Sequence, residues 1–217
     1  MKTHYEAYLF DLDGTLVDSA PDIGAALNYS LQQASLPVVS LDLVRHWIGH
    51  GSRTLVRQAL LHRQMQPENR LIDQLLGPFL SYYVEHIADH SQLYPNTMAT
   101  LLELKQRGAR LAIVTNKLTE LSLPLLTALD LKAHFDLIVC GDTTAKPKPA
   151  PDPIQHVLDL FKVGPEQALM IGDSDADIGA ARAAHVDVVC LRDGYNHGVD
   201  VASLNPDKVV DSIKELL

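Results

Sequence analysis

Beyond about residue 92, the chain alternates short apolar runs with segments of helical periodicity. The apolar runs are rich in valine, leucine and isoleucine, as buried strands are, and the segments between them repeat apolar residues every three or four positions. Predicted strands cover 5–10, 111–115, 135–140, 168–172 and 186–191, and predicted helices begin near Thr97, Thr119, Pro153 and Asp177. This alternation predicts an α/β fold, a doubly wound parallel sheet with helices on both faces.

Between about residue 21 and about residue 90 the helical periodicity continues without strand-like runs. Several amphipathic segments follow one another there, and no lysine occurs between residues 16 and 91. We interpret this stretch as an inserted all-helical cap. The predicted domains are an α/β core at 1–15 and 92–217 and a cap at 16–91, with hinges near 17–22 and 90–96.

Composition and charge favour small-molecule chemistry. The chain is 47% hydrophobic, which suffices for a core, and its 18 basic against 27 acidic residues give a formal charge of −9. Nucleic acid and anionic membranes both attract basic proteins, so neither is an expected partner. No apolar run approaches the roughly 20 residues of a membrane-spanning helix, and the amino terminus is too polar for a signal peptide.

The two cysteines suggest a reducing compartment. Cys140 and Cys190 both lie in short apolar runs and are expected to be buried and unpaired. A disulfide framework would place cysteines in loops of a secreted chain. We therefore expect a cytoplasmic location.

The run FDLDGTL at 10–16 is the strongest chemical signal. An apolar strand ends there in two carboxylates, Asp11 and Asp13, and a glycine then allows a sharp turn. A calcium-binding loop would need acidic or amide side chains at positions one, three and five with glycine sixth, whereas here Thr15 is fifth and Gly14 fourth. An acidic turn without chemistry is the simplest alternative.

Two other predicted strands also end in polar side chains. Thr115 and Asn116 end one strand, and a GDSDAD run carrying Asp173 and Asp177 ends another. Each alone is typical of a helix cap. Because the carboxyl ends of parallel strands meet at one edge of a sheet, we expect these groups to converge on Asp11.

A lysine is expected to join them from the proline-rich stretch at 146–153. Lys146 and Lys148 both precede a proline, and either could be a solvated loop charge. A nucleophile, a metal site, a hydroxyl donor and a cation together form the set that phosphoryl transfer requires.

These motifs, DxDGT, a strand-ending Thr, a Lys and GDxxxD, resemble in order those of the haloacid dehalogenase superfamily, and the resemblance covers essentially the whole chain. It implies an Mg²⁺-dependent phosphatase in which Asp11 becomes phosphorylated and Asp13 is the acid and base. It further implies that Asp11, Asp13 through its backbone carbonyl, and Asp173 bind Mg²⁺.

The same resemblance assigns the remaining core residues. Asp177 would support the metal site, and Thr115, Asn116 and a lysine would hold phosphate. The family's Lys-Pro-x-Pro-x-Pro run fits Lys148 with the following helix in register, and Lys146 is the alternative.

The sequence of the predicted cap indicates a class of substrate. The loop Trp47 to Gly51, continued by Arg53, resembles the substrate loop of phosphoglycolate phosphatases. Gly49, His50, Gly51 and Arg53 are therefore predicted substrate contacts, because glycines expose backbone amides and arginine suits carboxylates. The simpler interpretation is a turn between two helices. His46, His62, His86 and His90 show no metal-ligand spacing and are expected to serve packing or to lie on the surface.

The sequence thus favours hydrolysis of a small phosphorylated metabolite, with 2-phosphoglycolate the first choice. A sugar phosphate, pyrophosphate, or a phosphosugar mutase reaction remains open. A dehalogenase would not need Asp13, and a phosphonate hydrolase would need a lysine in the cap. A response-regulator-like switch that accepts phosphate on aspartate is the alternative from another class, although its motif order differs.

Overall fold

The structure, a computed structural model, describes residue 2 and residues 4–217. Met1 and Thr3, which the predicted core includes, lie outside the described residues. The strands are β1 (Ala7–Phe10), β2 (Val17–Asp18), β3 (Gln92–Leu93), β4 (Arg110–Val114), β5 (Leu137–Val139), β6 (Ala168–Gly172), β7 (Asp187–Leu191) and β8 (Lys208–Val210). The helices are α1 (Ala20–Gln33), α2 (Leu41–Trp47), α3 (Ser52–His62), α4 (Asn69–Glu85), α5 (Thr97–Gln106), α6 (Thr119–Ala128), α7 (Asp152–Phe161) and α8 (Asp175–Ala183).

Six strands form one parallel sheet in the order β5-β4-β1-β6-β7-β8. The first strand of the chain lies at the centre, where Phe10 pairs with Ile113 of β4 on one side and Ile171 of β6 on the other. Because crossovers run out from this centre in both directions, the order reverses at β1. The predicted doubly wound α/β fold is confirmed.

Alternate residues of the central strands face opposite sides of the sheet, as the pleat requires. Tyr8 and Phe10 of β1 pack into a core that includes the apolar faces of α5 and α6. Ala7 and Leu9 pack into a second core with α7 and α8. Two covered faces explain why these strands read as continuous apolar runs rather than as alternating ones.

Helices α1 to α4 supply most of a third apolar core, which contains Leu27 of α1 with Ile72 and Phe79 of α4. Leu121 of α6 and Tyr195 also belong to it. The two chain passages that lead into and out of these helices pair as the antiparallel strands β2 and β3. Buried Asp22 joins the same two passages, because its carboxylate accepts hydrogen bonds from the backbone N–H groups of His90 and Ser91.

Several predicted boundaries were wrong by one or two residues. β1 begins at Ala7 rather than at residue 5, and α8 begins at Asp175 rather than near Asp177. The helix starts early because Asp177 accepts hydrogen bonds from the backbone N–H and hydroxyl of Ser174, which fixes the first turn. The sequence also gave no signal for β2, β3 or β8, which are only two or three residues long.

Both cysteines are buried and free, Cys190 within β7 and Cys140 just after β5. Burial raises the pKa of each thiol. Across residue 2 and residues 4–217, no helix combines the length and the apolar character needed to cross a membrane.

We predict that the third core is a major source of stability. Leu27 is fully buried whereas Leu61 of α3 is 47% exposed. Leu27→Ala should lower the free energy of unfolding by about 2–5 kcal/mol, because it leaves a cavity. Leu61→Ala, the matched control, should change it by less than about 0.5 kcal/mol. Urea unfolding followed by the fluorescence of Trp47, the single tryptophan, measures both; similar losses in the two variants would contradict the prediction.

Candidate active site

Three neighbouring strands deliver the predicted site residues to one edge of the sheet. Asp11 directly follows β1, Thr115 follows β4 and Asp173 follows β6. The strand order places β1 between the other two, and the backbone N–H of Asp11 donates to the carbonyl of Ile171 at 2.8 Å. The convergence therefore follows from the parallel topology.

The Lys148 side chain reaches the same edge and is 3% exposed. Its ammonium lies 2.8 Å from Asp11 Oδ1 and donates to Asp177 Oδ1 at 2.6 Å and to the carbonyl of Val114 at 2.7 Å. Burial alone would lower the pKa of Lys148, but the charges of Asp11 and Asp177 raise it above its usual value. Lys146, the alternative lysine, is exposed.

Carboxylates outnumber cations in this buried cluster. Asp11, Asp173 and Asp177 each offer an oxygen, and these atoms lie within 4.8 Å of one another. Burial raises the pKa of Asp11 to about 6, although Lys148 opposes the shift. Burial, with the charges of Asp11 and Asp177, also raises the pKa of Asp173 well above its usual range. This excess of negative charge, borne on hard oxygen ligands, fits a divalent cation such as Mg²⁺.

Neighbouring groups hold the two carboxylates of the GDSDAD run. Asp173 accepts a hydrogen bond from the hydroxyl of Thr15 at 2.8 Å and another from the backbone N–H of Tyr195 at 2.5 Å. Gly14 has φ +91°, and a Cβ there would collide with the Asp173 carboxylate, so this turn needs glycine. Asp177 has both oxygens occupied by Lys148 and the start of α8, which suits support more than direct ligation.

Asp13 lies at the same edge of the sheet, close to the inserted helices α1 to α4. The hydroxyl of Ser19 donates to Asp13 Oδ1 at 2.5 Å, and the ammonium of Lys117 lies 3.1 Å from both carboxylate oxygens. Lys117 also donates to the phenol oxygen of Tyr83 at 2.7 Å, which comes from α4. A residue of the core and a residue of the inserted helices thus jointly orient this carboxylate.

A cavity of about 320 Å³ opens directly above these groups. Its polar floor comes from the strand ends and its apolar walls come largely from the inserted helices. The floor includes Asp11, Asp13, Thr115, Asn116 and Lys117, and the walls include Ile48, Leu76, Phe79, Leu80 and Tyr83. Such a small, largely apolar enclosure suits a small ligand with one strongly polar end.

The predicted substrate contacts of the cap, which are Gly49, His50, Gly51 and Arg53, all line this cavity. Gly49 and Gly51 have φ +125° and +82°, so the loop around His50 needs both glycines. Arg53 lines the wall, but its guanidinium donates to Asp73 at 2.5 Å and to Asn69 at 3.1 Å. An anionic ligand would have to compete with Asp73 for this arginine.

Asn116 joins this loop to the core. Its side-chain amide donates to the carbonyl oxygens of Gly49 at 3.1 Å and Lys148 at 3.0 Å. Its Oδ1 atom is buried and has no hydrogen-bond partner within the described part of the chain. In this arrangement Asn116 bridges the helices and the sheet, and its predicted contact with phosphate stays a prediction.

Several residues of the site, among them Lys117, Tyr83 and Tyr195, had not been expected from the sequence. Lys117 directly follows Thr115 and Asn116, so its position after a strand end was an available signal. Tyr195 lies in the loop after β7, and its hydroxyl donates to Asp18 at 2.5 Å. No local sequence pattern indicates this contact. The contact of Lys117 with Asp13 and that of Tyr195 with Asp18 each join segments that are far apart along the chain.

Comparison with known proteins identifies the family. Residues 8–191 match the sequence profile described as haloacid dehalogenase-like hydrolase. The chain belongs to this family, as the resemblance of its motifs predicted.

Named relatives and solved structures are similar to this chain over nearly its full length. A protein named phosphoglycolate phosphatase from Nitrosococcus oceani is 41% identical, with 97% of this chain and 94% of that protein covered. A crystal structure of a predicted phosphoglycolate phosphatase from Haemophilus somnus has a TM-score of 0.91 at 36% identity, covering 98% and 96% of the two chains. The crystal structure of CbbY from Rhodobacter sphaeroides in complex with phosphate has a TM-score of 0.83 at 26% identity, covering 98% and 96%.

We predict that Mg²⁺ stabilises the protein more at about pH 8 than at about pH 5. Because the pKa values of Asp11 and Asp173 are raised, the folded metal-free protein retains protons that the unfolded chain releases. Its stability should therefore fall as the pH rises from about 4 through about 6 and beyond. Thermal unfolding with and without Mg²⁺ at both pH values measures the effect.

In the same experiment Asp11→Asn should show a smaller Mg²⁺-dependent rise in Tm at the higher pH. Asp159→Asn, which changes an exposed carboxylate on α7, should behave as the wild type. Mg²⁺ shifts that are equal at both pH values, or equal in the two variants, would show that the carboxylate cluster does not bind the cation.

We predict that Lys117→Met lowers kcat about 10–100-fold, because Asp13, the expected general acid and base, would lose the ion pair that orients it. Lys146→Met, a change at an exposed lysine, is the matched control and should leave kcat unchanged. Release of phosphate under saturating substrate measures both. Wild-type turnover by Lys117→Met would mean that Asp13 does not rely on this ion pair.

Proposed function

We propose that this protein is an Mg²⁺-dependent phosphomonoester hydrolase that works through a phosphorylated Asp11. The observation that carries the proposal is the placement of the Lys148 ammonium between Asp11 and Asp177, with Thr115 and Asp173 at the same edge. Asp11, Asp13, Thr115 and Lys117 line one cavity, and Lys148 lies buried against Asp11. The names of the relatives support phosphatase chemistry independently.

The proposed metal ligands are Asp11, Asp173 and the backbone carbonyl of Asp13, with Asp177 in support. Burial, with repulsion from neighbouring carboxylates, raises the pKa values of Asp11 and Asp173, and a bound divalent cation would offset both effects. When bound, Mg²⁺ would reduce the repulsion between the carboxylate and an anionic phosphate.

In the first half-reaction Asp11 attacks phosphorus in line with the bond to the leaving oxygen. Thr115 and Lys148 hold the phosphate oxygens. The Lys148 ammonium donates to Val114 and Asp177 and lies 2.8 Å from Asp11, so its third N–H can turn to a phosphoryl oxygen beside the nucleophile. Asp13 gives its proton to the leaving alkoxide, and the phosphorus–oxygen bond of the substrate breaks.

In the second half-reaction a water molecule attacks the phosphorus of the acyl phosphate. Asp13, now ionised, takes a proton from that water, and the bond between phosphorus and Asp11 breaks to release phosphate. Contacts with Ser19 and Lys117 would keep Asp13 aimed at the cavity through both steps. Asp13 returns to its protonated state, so the cycle is balanced.

We propose 2-phosphoglycolate as the substrate, with glycolate and phosphate as products. The cavity is small, and several relatives carry the name phosphoglycolate phosphatase. The loop from Gly49 to Gly51 and Arg53 would meet the carboxylate end of this small phosphorylated metabolite. Closure over so short a substrate would expel water, which strengthens every charge interaction at the cavity floor.

We further propose that residues 16–91 are a mobile cap on a core formed by 1–15 and 92–217. The β2–β3 pair and the contacts of Asp22 lie where the two parts join, which suits hinges near 17–22 and 90–96. The bond from Asn116 to the carbonyl of Gly49 would then break when the cap opens. Opening would admit substrate and release products.

The test is a phosphate-release screen with 2-phosphoglycolate, hexose phosphates, amino-sugar phosphates and pyrophosphate, each with and without Mg²⁺. We predict activity only with Mg²⁺ and a kcat/KM for 2-phosphoglycolate at least about tenfold above the others, since contacts to a small substrate discriminate on this scale. Asp11→Asn should abolish turnover, and Asp159→Asn should retain it.

Acid quenching followed by mass spectrometry separates the remaining reactions. The proposal requires a transient phosphoryl group on Asp11 together with continuous release of phosphate. A stable phosphoryl group without turnover would indicate a switch, and an isomerised product would indicate a mutase. If another phosphate ester ranks first, the substrate is wrong while the phosphatase chemistry stands.

A further inference from the structure

A second cluster of metal-ligand side chains lies beside the active site, where the helical segment meets the core. His50 comes from the loop between α2 and α3, Asp175 begins α8, and His197 lies in the loop after β7. Nε2 of His50 is 3.6 Å from Asp175 Oδ1, and Nε2 of His197 is 3.9 Å from the same oxygen. The two imidazole rings are parallel, with centroids 4.7 Å apart.

The hydrogen bond at the other ring nitrogen of His197 orients the ring toward this cluster. His197 Nδ1 lies 2.8 Å from the backbone carbonyl of His46, which can only accept, so Nδ1 carries a proton. In neutral His197 the lone pair is then on Nε2, which faces Asp175. Zinc-binding histidines commonly show this arrangement, in which the second nitrogen donates to a carbonyl and fixes the tautomer.

Nε2 of His197 is also buried and has no hydrogen-bond partner among residue 2 and residues 4–217. Gly49 closes over it, because a Cβ at that position would lie 3.2 Å from this nitrogen. In neutral His197 this nitrogen is a buried acceptor that faces a carboxylate oxygen, which is unfavourable. A cation placed between the two groups removes that cost.

We propose that His50, Asp175 and His197 bind a divalent transition-metal ion of the zinc class. Two imidazole nitrogens and one carboxylate oxygen suit zinc, whose donors lie about 3.4 Å apart around a tetrahedral ion at 2.0–2.2 Å. The two nitrogen–oxygen separations, 3.6 and 3.9 Å, exceed this only slightly. Rotation of the exposed His50 side chain out of the parallel stack would turn its Nε2 toward the ion. Asp175 and His50 are partly exposed, which leaves a coordination position for water.

The metal ion would join the helical segment to the core. His50 and the carbonyl of His46 belong to the helical segment, whereas Asp175 and His197 belong to the core. A bound ion therefore holds the loop around His50 over the cavity and slows the exchange of substrate. This site is separate from the carboxylate cluster, so the proposed chemical steps at Asp11 do not require it.

The experiment titrates Zn²⁺ into the full-length, chelator-treated protein in the presence of excess Mg²⁺, which occupies the carboxylate cluster. Calorimetry gives the stoichiometry and affinity, and the fluorescence of Trp47, three residues from His50, reports on the loop. Co²⁺ in place of Zn²⁺ gives an absorption spectrum that reports nitrogen and oxygen ligation. We expect one Zn²⁺ per chain in addition to the Mg²⁺ site.

The decisive variant is His197→Asn, because asparagine can keep the hydrogen bond to His46 but lacks the second nitrogen. Its Zn²⁺ affinity should fall at least about tenfold, the lower limit for losing even an outer-shell partner. His86→Asn is the matched control, since His86 also pairs with an aspartate, Asp89, at 2.7 Å outside the cluster. Its affinity should be unchanged.

Circular dichroism verifies that both variants fold, and Asp175→Asn provides a second loss of ligand. Equal Zn²⁺ affinity in the wild type and His197→Asn would overturn the proposal. So would the absence of Zn²⁺ binding when Mg²⁺ is present, which would leave His50, Asp175 and His197 as an ion-pair cluster that needs only a proton. Neither outcome affects the test of phosphate release.

Discussion

The structure as a whole depends on how buried negative charge is compensated at the carboxyl edge of the parallel sheet. Asp11, Asp173 and Asp177 lie within reach of one another, and Lys148 is the ammonium in contact with two of them. Removing charges from water is costly unless they are paired and hydrogen-bonded. The hydroxyls of Thr15 and Ser174 and the backbone N–H of Tyr195 supply those bonds. What remains uncompensated is negative charge that a divalent cation would neutralise, so that an anionic phosphate could then approach Asp11.

The inserted helices extend this arrangement beyond the sheet. They cover the charged floor with apolar walls, which lowers the local dielectric constant and strengthens the interactions there. They also contribute Tyr83, which contacts Lys117 and through it Asp13. The orientation of one core carboxylate thus depends on the position of the helices. This contact gives the helices a direct influence on the floor of the cavity in addition to excluding water.

Much of the fold and of the candidate site could be predicted from the sequence because the relevant signals are local. Apolar strands buried on both faces read as continuous runs, and Asp11, Thr115 and Asp173 each follow such a run directly. Parallel strands carry their carboxyl ends to one edge, so these three could be expected to meet. The short strands β2, β3 and β8 could not be predicted, since two or three residues carry too little periodicity.

The sequence by itself determined the class of fold, the inserted helices and the residue types at the strand ends, because strand and helix periodicity are properties of neighbouring residues. Only the tertiary structure decided that Lys148 is buried beside Asp11 while Lys146 is exposed, and that Lys117 reaches Asp13. It alone brought His50, Asp175 and His197 together. These contacts join residues far apart in the chain, and their geometry is set by how loops and helices pack, which no local pattern encodes.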